Sequence, residues 1–453
     1  MPDSVDPAAE HARRLLRACD LDRTPPVREC PRGTAVEWAC SGAMALTGTV
    51  QGTPEFANGA LASAASGAAL ALATLAPNAG FDQLDGPALF GERAAIGGLS
   101  RGGDISAGRS ARLLPAEPVD VVLNLPRDED WQLIPALFEV HPSELTSTRD
   151  WRAVGELAAK RNARKLVERG RMMGLAIATT TRPPNKKDPF VLHHATESPR
   201  AGRTERRIRL LDLSSLWAGP LATSLLASAG IEVLKLESAR RPDGARQGPA
   251  AFFDLMNGRK RGCALDLDRA DDRAIFDRLL EAADIVVDSS RPRALAHLGI
   301  DAVSWVKARP GRLWTSITGY GRDREWIAFG DDAAVAAGLA EPVEGSDSRL
   351  RFCGDAIADP LTGLHAAVFI LAQLHHGRGG LLDLSLVDIA AYAAATPHDG
   401  LTRPIERDSG RWILHDEERR VLIAPPRTRP TQAVAPTLAA PSPRLISDWT
   451  GAC

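Results

Sequence analysis

The chain has 453 residues, 44% of them hydrophobic, which is enough for two or three domains and excludes a disordered or fibrous protein. Lys and Arg number 55 against 57 Asp and Glu, so net charge gives no reason to expect nucleic acid or an anionic membrane as a partner. The cysteines (Cys19, Cys30, Cys40, Cys263, Cys353 and Cys453) show neither CxxC nor zinc-ligand spacing, so no metal site or disulfide framework is expected, and a reduced, cytoplasmic setting fits.

The first twenty residues, MPDSVDPAAEHARRLLRACD, are charged throughout and lack the apolar stretch of a secretory signal; residues 1–35 read as a leader. Between Phe56 and Phe81 no charge occurs, yet the run is mostly Ala, Ser, Gly and Thr, which predicts a buried helix rather than a membrane span. VDVVLNLP reads as a strand. DWRAVGELAAKRNARKLVERGRMMGL reads as two amphipathic helices joined near Lys160 and Arg161, giving a small α+β domain over 105–181.

Residues 182–206 are rich in Pro and charge without periodicity and read as a linker. Beyond them strands and helices alternate: RIRLLDLSS, LATSLLASAG, IEVLKLES, RAIFDRLLEAA, DIVVDSS, AVSWVKARP and RLWTSITGYG. Such alternation predicts a Rossmann-like α/β domain over 207–395, with a parallel sheet and ligands beyond the carboxyl ends of its strands. The Pro-rich tail, 396–453, is expected to wrap a surface in extended form.

Two stretches share a spacing. Gly42 precedes Ser63 by 21 residues and Gly67 follows it by four; Gly338 precedes Asp359 by 21 and Gly363 follows by four. Both Ser63 and Asp359 follow an Ala and open an apolar helix, so residues 36–104 read as a degenerate copy of the second stretch, with the chance matching of Ala-rich segments as the alternative. Asp359 precedes Pro360 at the mouth of its helix, where an Asp is expected as N-cap.

Several motifs lead nowhere. GLSRG (residues 98–102) lacks the strand before and helix after that a nucleophile elbow needs. GRGG (377–380) lacks the Lys of a P-loop, and the adjacent His375 and His376 diverge on a helix too far to share a metal. Positive charge does recur at strand ends, in Arg240, Arg241 and Arg246, in NGRKRG (257–262), and in Arg291 and Arg293, which favours a phosphate-bearing ligand over a merely solvated surface.

From Arg207 to about Ala395 the chain resembles the class III CoA-transferases, the superfamily that includes formyl-CoA transferase, carnitine CoA-transferase and α-methylacyl-CoA racemase. The resemblance rests on RLLDLSSLWAGPLATSLLASAGIEVLKLE, NGRKRGCALDLD, DIVVDSSRPRALAHLGI, SITGYG, GDAIADPLTGLHAA and GRGGLLDLSLVDIA, in family order. The stretch from Val36 to Thr181 looks like a partial second half placed before the CoA-binding part, which departs from the usual order.

The resemblance implies a CoA-transferase, an enzyme transferring sulfur-containing groups, with coenzyme A as acyl-CoA substrate and no metal. Asp359 is the implied nucleophile, forming an acyl anhydride and then an aspartyl-CoA thioester. CoA contacts are implied at Trp217, Ala218, Arg240, Leu265, Asp266, Ser289, Ser290, Arg291 and His297. Ser289 and Ser290 replace the family's Asn-Phe, Arg293 its Gly, and Ser238 stands where an Arg is common. Asp331, the second implied catalytic residue, stands where the racemase branch has its acid/base His, which favours transfer over racemisation. Ser63 in place of Asp implies a first copy without chemistry. An acyl-CoA and a carboxylic acid are the expected partners, with an intertwined homodimer and neither nucleic acid nor membrane; the alternatives are an acyl-CoA racemase or isomerase, or a non-catalytic acyl-CoA-binding homologue.

Overall fold

A computed structural model describes residues 6–28, 32–144, 149–181, 188–197, 207–340, 350–398 and 403–451. Four helices come first: α1 (Pro7–Ala18), α2 (Thr34–Cys40), α3 (Leu61–Leu75) and α4 (Glu92–Gly97). A small domain follows, in which β1 (Ala111–Leu114), β2 (Val121–Asn124) and β3 (Ala176–Thr179) form an antiparallel sheet. Between β2 and β3 run α5 (Asp128–Gln132), α6 (Ile134–Phe138), α7 (Trp151–Ala158) and α8 (Ala163–Met172). The two expected amphipathic helices are α7 and α8, each opened by a side-chain cap, from Asp150 and Asn162.

The α/β domain runs β4 (Val191–Glu197), β5 (Arg209–Leu213), α9 (Ala218–Ser228), β6 (Glu232–Ser238), α10 (Ala250–Asn257), β7 (Arg261–Leu265), α11 (Ala270–Ala282), β8 (Ile285–Asp288), α12 (Pro292–His297), α13 (Ala302–Ala308), β9 (Leu313–Thr318), α14 (Gly330–Ala336), α15 (Ala358–His376), β10 (Arg378–Ser385) and α16 (Leu386–Ala394). Its sheet has the order β4-β10-β9-β8-β5-β6-β7, parallel throughout except for β4. The order reverses between β5 and β8, so their carboxyl ends border the crevice where ligands of open α/β sheets bind.

The stretch expected as a linker is therefore strand over Val191–Glu197; its remaining residues, 182–187 and 198–206, lie outside those described. VLHHATE has no apolar alternation because β4 is an edge strand, exposed along most of its length, and what it supplies is backbone pairing for β10. The tail also carries more regular structure than expected: β11 (Ile405–Asp408), β12 (Arg411–Asp416), β13 (Arg419–Leu422) and α17 (Pro443–Thr450). Ser409 (φ 50°) and Gly410 (φ 82°) form the tight turn between β11 and β12. Residues 423–442 do run extended over the body, where Ala424 N–H donates to Ala39 O and Ala264 N–H to Ala439 O.

One hydrophobic core joins the N-terminal helices to the α/β domain. Leu15 and Leu16 of α1, Leu61 and Leu72 of α3, Leu221 of α9 and Leu361, Leu364 and Phe369 of α15 share it. A second core, with Phe276, Trp305, Trp314 and Trp449, joins the sheet to α11, α13 and α17. The small domain has its own, around Val121, Phe138 and Leu166. No helix among the described residues is long and apolar enough to cross a membrane.

The shared spacing has a matched geometry. Helices α2 and α14 are each seven residues long and are followed by Gly42 (φ 84°) and Gly338 (φ 89°). A Cβ on Gly67 would lie 2.6 Å from Ala8 O of α1, and one on Gly363 would lie 2.8 Å from Ala218 O of α9. Each glycine lets a neighbouring helix backbone touch its own, so α1 stands to α3 as α9 stands to α15.

Two buried histidines bind α1 to α15. His365 Nδ1 donates to Leu361 O (2.7 Å), which leaves its Nε2 as acceptor for His11 Nε2–H (2.9 Å) and His11 Nδ1 as acceptor for the Thr396 hydroxyl (2.7 Å). Burial holds both rings neutral, pushing His365 down to about 4 and His11 well below its ordinary value.

Candidate active site

A cavity of about 230 Å³ opens at the carboxyl ends of the central strands. The β5–α9 turn supplies Ser215, Leu216 and Ala218, the end of β8 supplies Ser289, Ser290 and Arg291, and Arg127 closes it from the small domain. Asp359 lies on its wall. Five of the residues singled out in the sequence, Ala218, Ser289, Ser290, Arg291 and Asp359, thus meet in one cavity.

Asp359 is the second residue of α15, not its N-cap. Ile357 occupies the cap position, without a side-chain bond, and Asp359 N–H donates to Ala356 O at 2.9 Å. Ala356 is left-handed (φ 43°), a strained geometry for a residue with a Cβ, and it starts the turn early enough to aim the Asp359 carboxylate toward Gly330. A Cβ on Gly330 would fall 2.4 Å from Asp359 Oδ2, so only glycine leaves room for it. Leu216 (φ 69°) is a second left-handed residue on the cavity, pinned by its N–H to Asp243 Oδ1 (2.9 Å).

Burial pushes the Asp359 carboxyl up to about 7, against the nearby Arg93 guanidinium, which favours its ionised form. Asp331 lies behind it rather than on the cavity: it is buried, its Oδ1 accepts the Ala356 N–H at 2.9 Å, and burial holds it at about 6. Asp332 beside it accepts from Asn124 Nδ2 (2.7 Å) and from Phe329 N–H (3.0 Å) through Oδ1, while its buried Oδ2 has no partner among the described residues; burial pushes it up to about 7. Arg93 of α4 grips the fully buried Asp355 as a fork, Nε to Oδ2 at 2.9 Å and Nη2 to Oδ1 at 2.5 Å.

The other expected contacts lie away from the cavity. Trp217 is buried beneath it, edge-on to Phe252. Arg240 is committed to Asp266 (2.9 Å) and Asp268 (2.7 Å), Leu265 is in the core, and His297 is exposed at the end of α12. Much of the positive charge at the strand ends turns inward: Lys260 is buried on Asp212 (2.9 Å), Lys235 on Asp243 (2.9 Å), and Arg246 pairs with Glu237. These buried pairs brace the β5–α9 turn, since Lys260 also donates to Pro220 O and Lys235 to Ser214 O. Ser289 does likewise, its Oγ accepting the Ser215 N–H at 3.0 Å across the switch point.

The sequence model of CoA-transferase family III matches residues 206–408, the stretch that holds β5 to β10 and every cavity-lining residue except Arg127. The chain is 29% identical over 212 residues to the succinate–glutarate CoA-transferase of Agrobacterium fabrum, covering 42% of this chain and 52% of that protein. It is 28% identical over 195 residues to the formyl-CoA:oxalate CoA-transferase of Escherichia coli, covering 40% and 47%. The chain thus spans about half the length of the curated relatives it matches. Among solved structures, a CaiB/BaiF family protein from Brucella suis aligns with a TM-score of 0.40 at 22% identity, over 48% of this chain and 66% of that one.

Within the matched segment, sequence reading passed over Asp355, Arg324 and Trp326, and outside it Arg93, Ser106 and Arg127. Asp355 stands in the quoted GDAIADP, but nothing local marks it as the partner of an arginine 262 residues away. No group of three or more metal-ligating side chains occurs among the described residues.

Proposed function

We propose that the chain is a CoA-transferase, moving CoA between an acyl-CoA and a carboxylic acid with Asp359 as nucleophile. The observation that carries this reading is the position of Asp359 on a cavity at the topological switch point of a family III sheet, beside Ala218, Ser289, Ser290 and Arg291. The narrow cavity suits the thioester end of CoA. Arg291 has no ion-pair partner among the described residues and is available to an anionic group of CoA or of the acid.

In the proposed cycle an Asp359 oxygen attacks the thioester carbonyl and CoA leaves as thiolate, giving a mixed anhydride. The thiolate then attacks the aspartyl carbonyl, releasing the donor acid and leaving an aspartyl-CoA thioester. The acceptor carboxylate reverses both steps and departs as acyl-CoA. Burial favours this chemistry by stripping water from the carboxylate and from the anhydride. Asp331, hydrogen-bonded behind Asp359, serves the reaction as part of the nucleophile's support rather than as a second base at a substrate carbon. A cytoplasmic location and a homodimer belong to the same reading.

The test is to mix the protein with acyl-CoA, trap with hydroxylamine or borohydride, and map peptides by mass spectrometry. Modification of the peptide containing Asp359 is the expected result. An unmodified peptide with every acyl-CoA tried, together with undiminished ligand binding in Asp359→Ala, would establish a non-catalytic acyl-CoA-binding protein instead.

A further inference from the structure

We propose that Arg93, supplied by the N-terminal half of the chain, is a positioning residue for the Asp359 carboxylate, so that the half without a nucleophile of its own completes the site of the other. This rests on the reading of Asp359 as nucleophile.

The strap that leads into α15 is held almost wholly by the N-terminal half. Arg351 Nε pairs with Glu55 Oε1 at 2.7 Å, Phe352 N–H donates to Gly103 O at 2.9 Å, and Gly354 N–H to Thr47 Oγ1 at 2.9 Å. Arg93 then clamps Asp355, the last side chain before the left-handed Ala356 that turns the chain into the helix. Ser106, also from the N-terminal half, bonds Asp331 from the far side. Gly108 packs against the guanidinium, where a Cβ would come within 3.1 Å of Nη2.

Arg93 also sets the charge. Three carboxylates, Asp331 from α14, Asp355 from the strap and Asp359 from α15, lie close together; repulsion from Asp355 opposes ionisation of Asp331, and repulsion from Asp331 and Asp355 opposes ionisation of Asp359. Arg93, half-buried with its side chain 34% exposed, is the cation beside them; although desolvation opposes its charge, Asp355 raises its guanidinium above the ordinary value. On the cavity side Asp359 faces Arg127, Arg291 and Arg324, while α9 and α16 bring only Ala218, Gly219 and Leu386. Without Arg93 the nucleophile would be protonated over more of the neutral range, and a protonated carboxyl does not attack a thioester.

The experiment reads Asp359 directly, without turnover. A diazoacetamide reagent esterifies carboxylic acids in their protonated form, so the pH dependence of labelling of the Asp359 peptide, followed by mass spectrometry, gives the carboxyl's midpoint. It is expected near 7 in the wild type. Arg93→Gln should raise the midpoint by about one pH unit or more and Arg93→Lys by less. Asp355→Asn, which removes a neighbouring negative charge, should lower it. Opposite shifts from the two partners of one ion pair are not produced by loosened packing, and if Arg93→Gln does not fold, Arg93→Lys and Asp355→Asn carry the test. A midpoint that stays in place in the folded variants overturns the proposal. Failure of the CoA-transferase reading shows separately, as a wild-type Asp359 that labels as expected yet takes no acyl group from any acyl-CoA.

Discussion

Gly330 and Asp359 touch so closely that a methyl group on the first would lie 2.4 Å from Oδ2 of the second and 2.3 Å from Ala356 O. Gly330→Ala should therefore displace the carboxylate or the strap. We expect a loss of about 1–3 kcal/mol in stability and of at least about tenfold in acyl transfer, read by thermal unfolding alongside trapping of the Asp359 adduct.

Asp359→Asn should remove the nucleophile while leaving the fold intact. Turnover is expected to fall by about three orders of magnitude or more, with the unfolding midpoint at pH 8 unchanged or raised, because a buried carboxylate has been replaced by a neutral amide. In the wild type the rate of adduct formation should rise with pH through about 7, as Asp359 loses its proton.

Arg291 separates binding from chemistry. Arg291→Ala should raise KM for the acyl-CoA by about tenfold, the worth of one exposed charge-assisted contact, and leave kcat little changed. An unaltered KM in steady-state assays would remove Arg291 from the binding surface.

Ser63 tests whether residues 36–104 are a copy without chemistry of their own. Its hydroxyl donates to the buried Glu37 carboxylate, which Ser66 (3.1 Å) and Arg28 (2.6 Å) also hold, so the cluster is closed on itself. Ser63→Ala should cost about 1 kcal/mol in denaturant unfolding and leave turnover within about twofold of wild type.

Asp332 gives a signed pH dependence. Its folded carboxyl keeps a proton up to about 7 whereas the unfolded one releases it near 3.8, so its contribution to stability falls as pH rises between these values, by up to about 4 kcal/mol. Asp332→Asn should remove that slope. Urea unfolding at pH 5 and pH 8 checks it: the variant should gain on the wild type at pH 8 relative to pH 5.

The parallel sheet was legible because β5, β6, β8 and β9 are buried on both faces and so read as continuous apolar runs. The edge strand β4 and the meander β11 to β13 were not, because strands exposed on one or both faces need no apolar pattern. Asp359 was legible through its motif and its helix. Arg93 was not: GERAAIG is an ordinary surface-helix sequence, and what makes its arginine part of the site is a contact spanning more than half the chain. Likewise the inward turn of Lys235 and Lys260 depends on buried acids that pairing across the sheet brings near, which strand-end charge alone does not reveal.

The imidazole pair between α1 and α15 has a thermodynamic consequence of its own. His365 is neutral in the folded chain down to about 4 but takes up a proton near 6.5 when unfolded, so the unfolded state gains protons relative to the folded one as pH falls through that window. The carboxyls of Asp331, Asp332 and Asp359 do the reverse, holding protons when folded that the unfolded chain has released. Between about 4 and 7 the two sets exchange protons in opposite directions on unfolding, and the net exchange is smaller than either alone. A calorimetric titration in buffers of different ionisation enthalpy should find a net proton release on unfolding that is larger once His11 and His365 are both replaced by Gln than in the wild type, because the imidazole uptake that offsets it is gone.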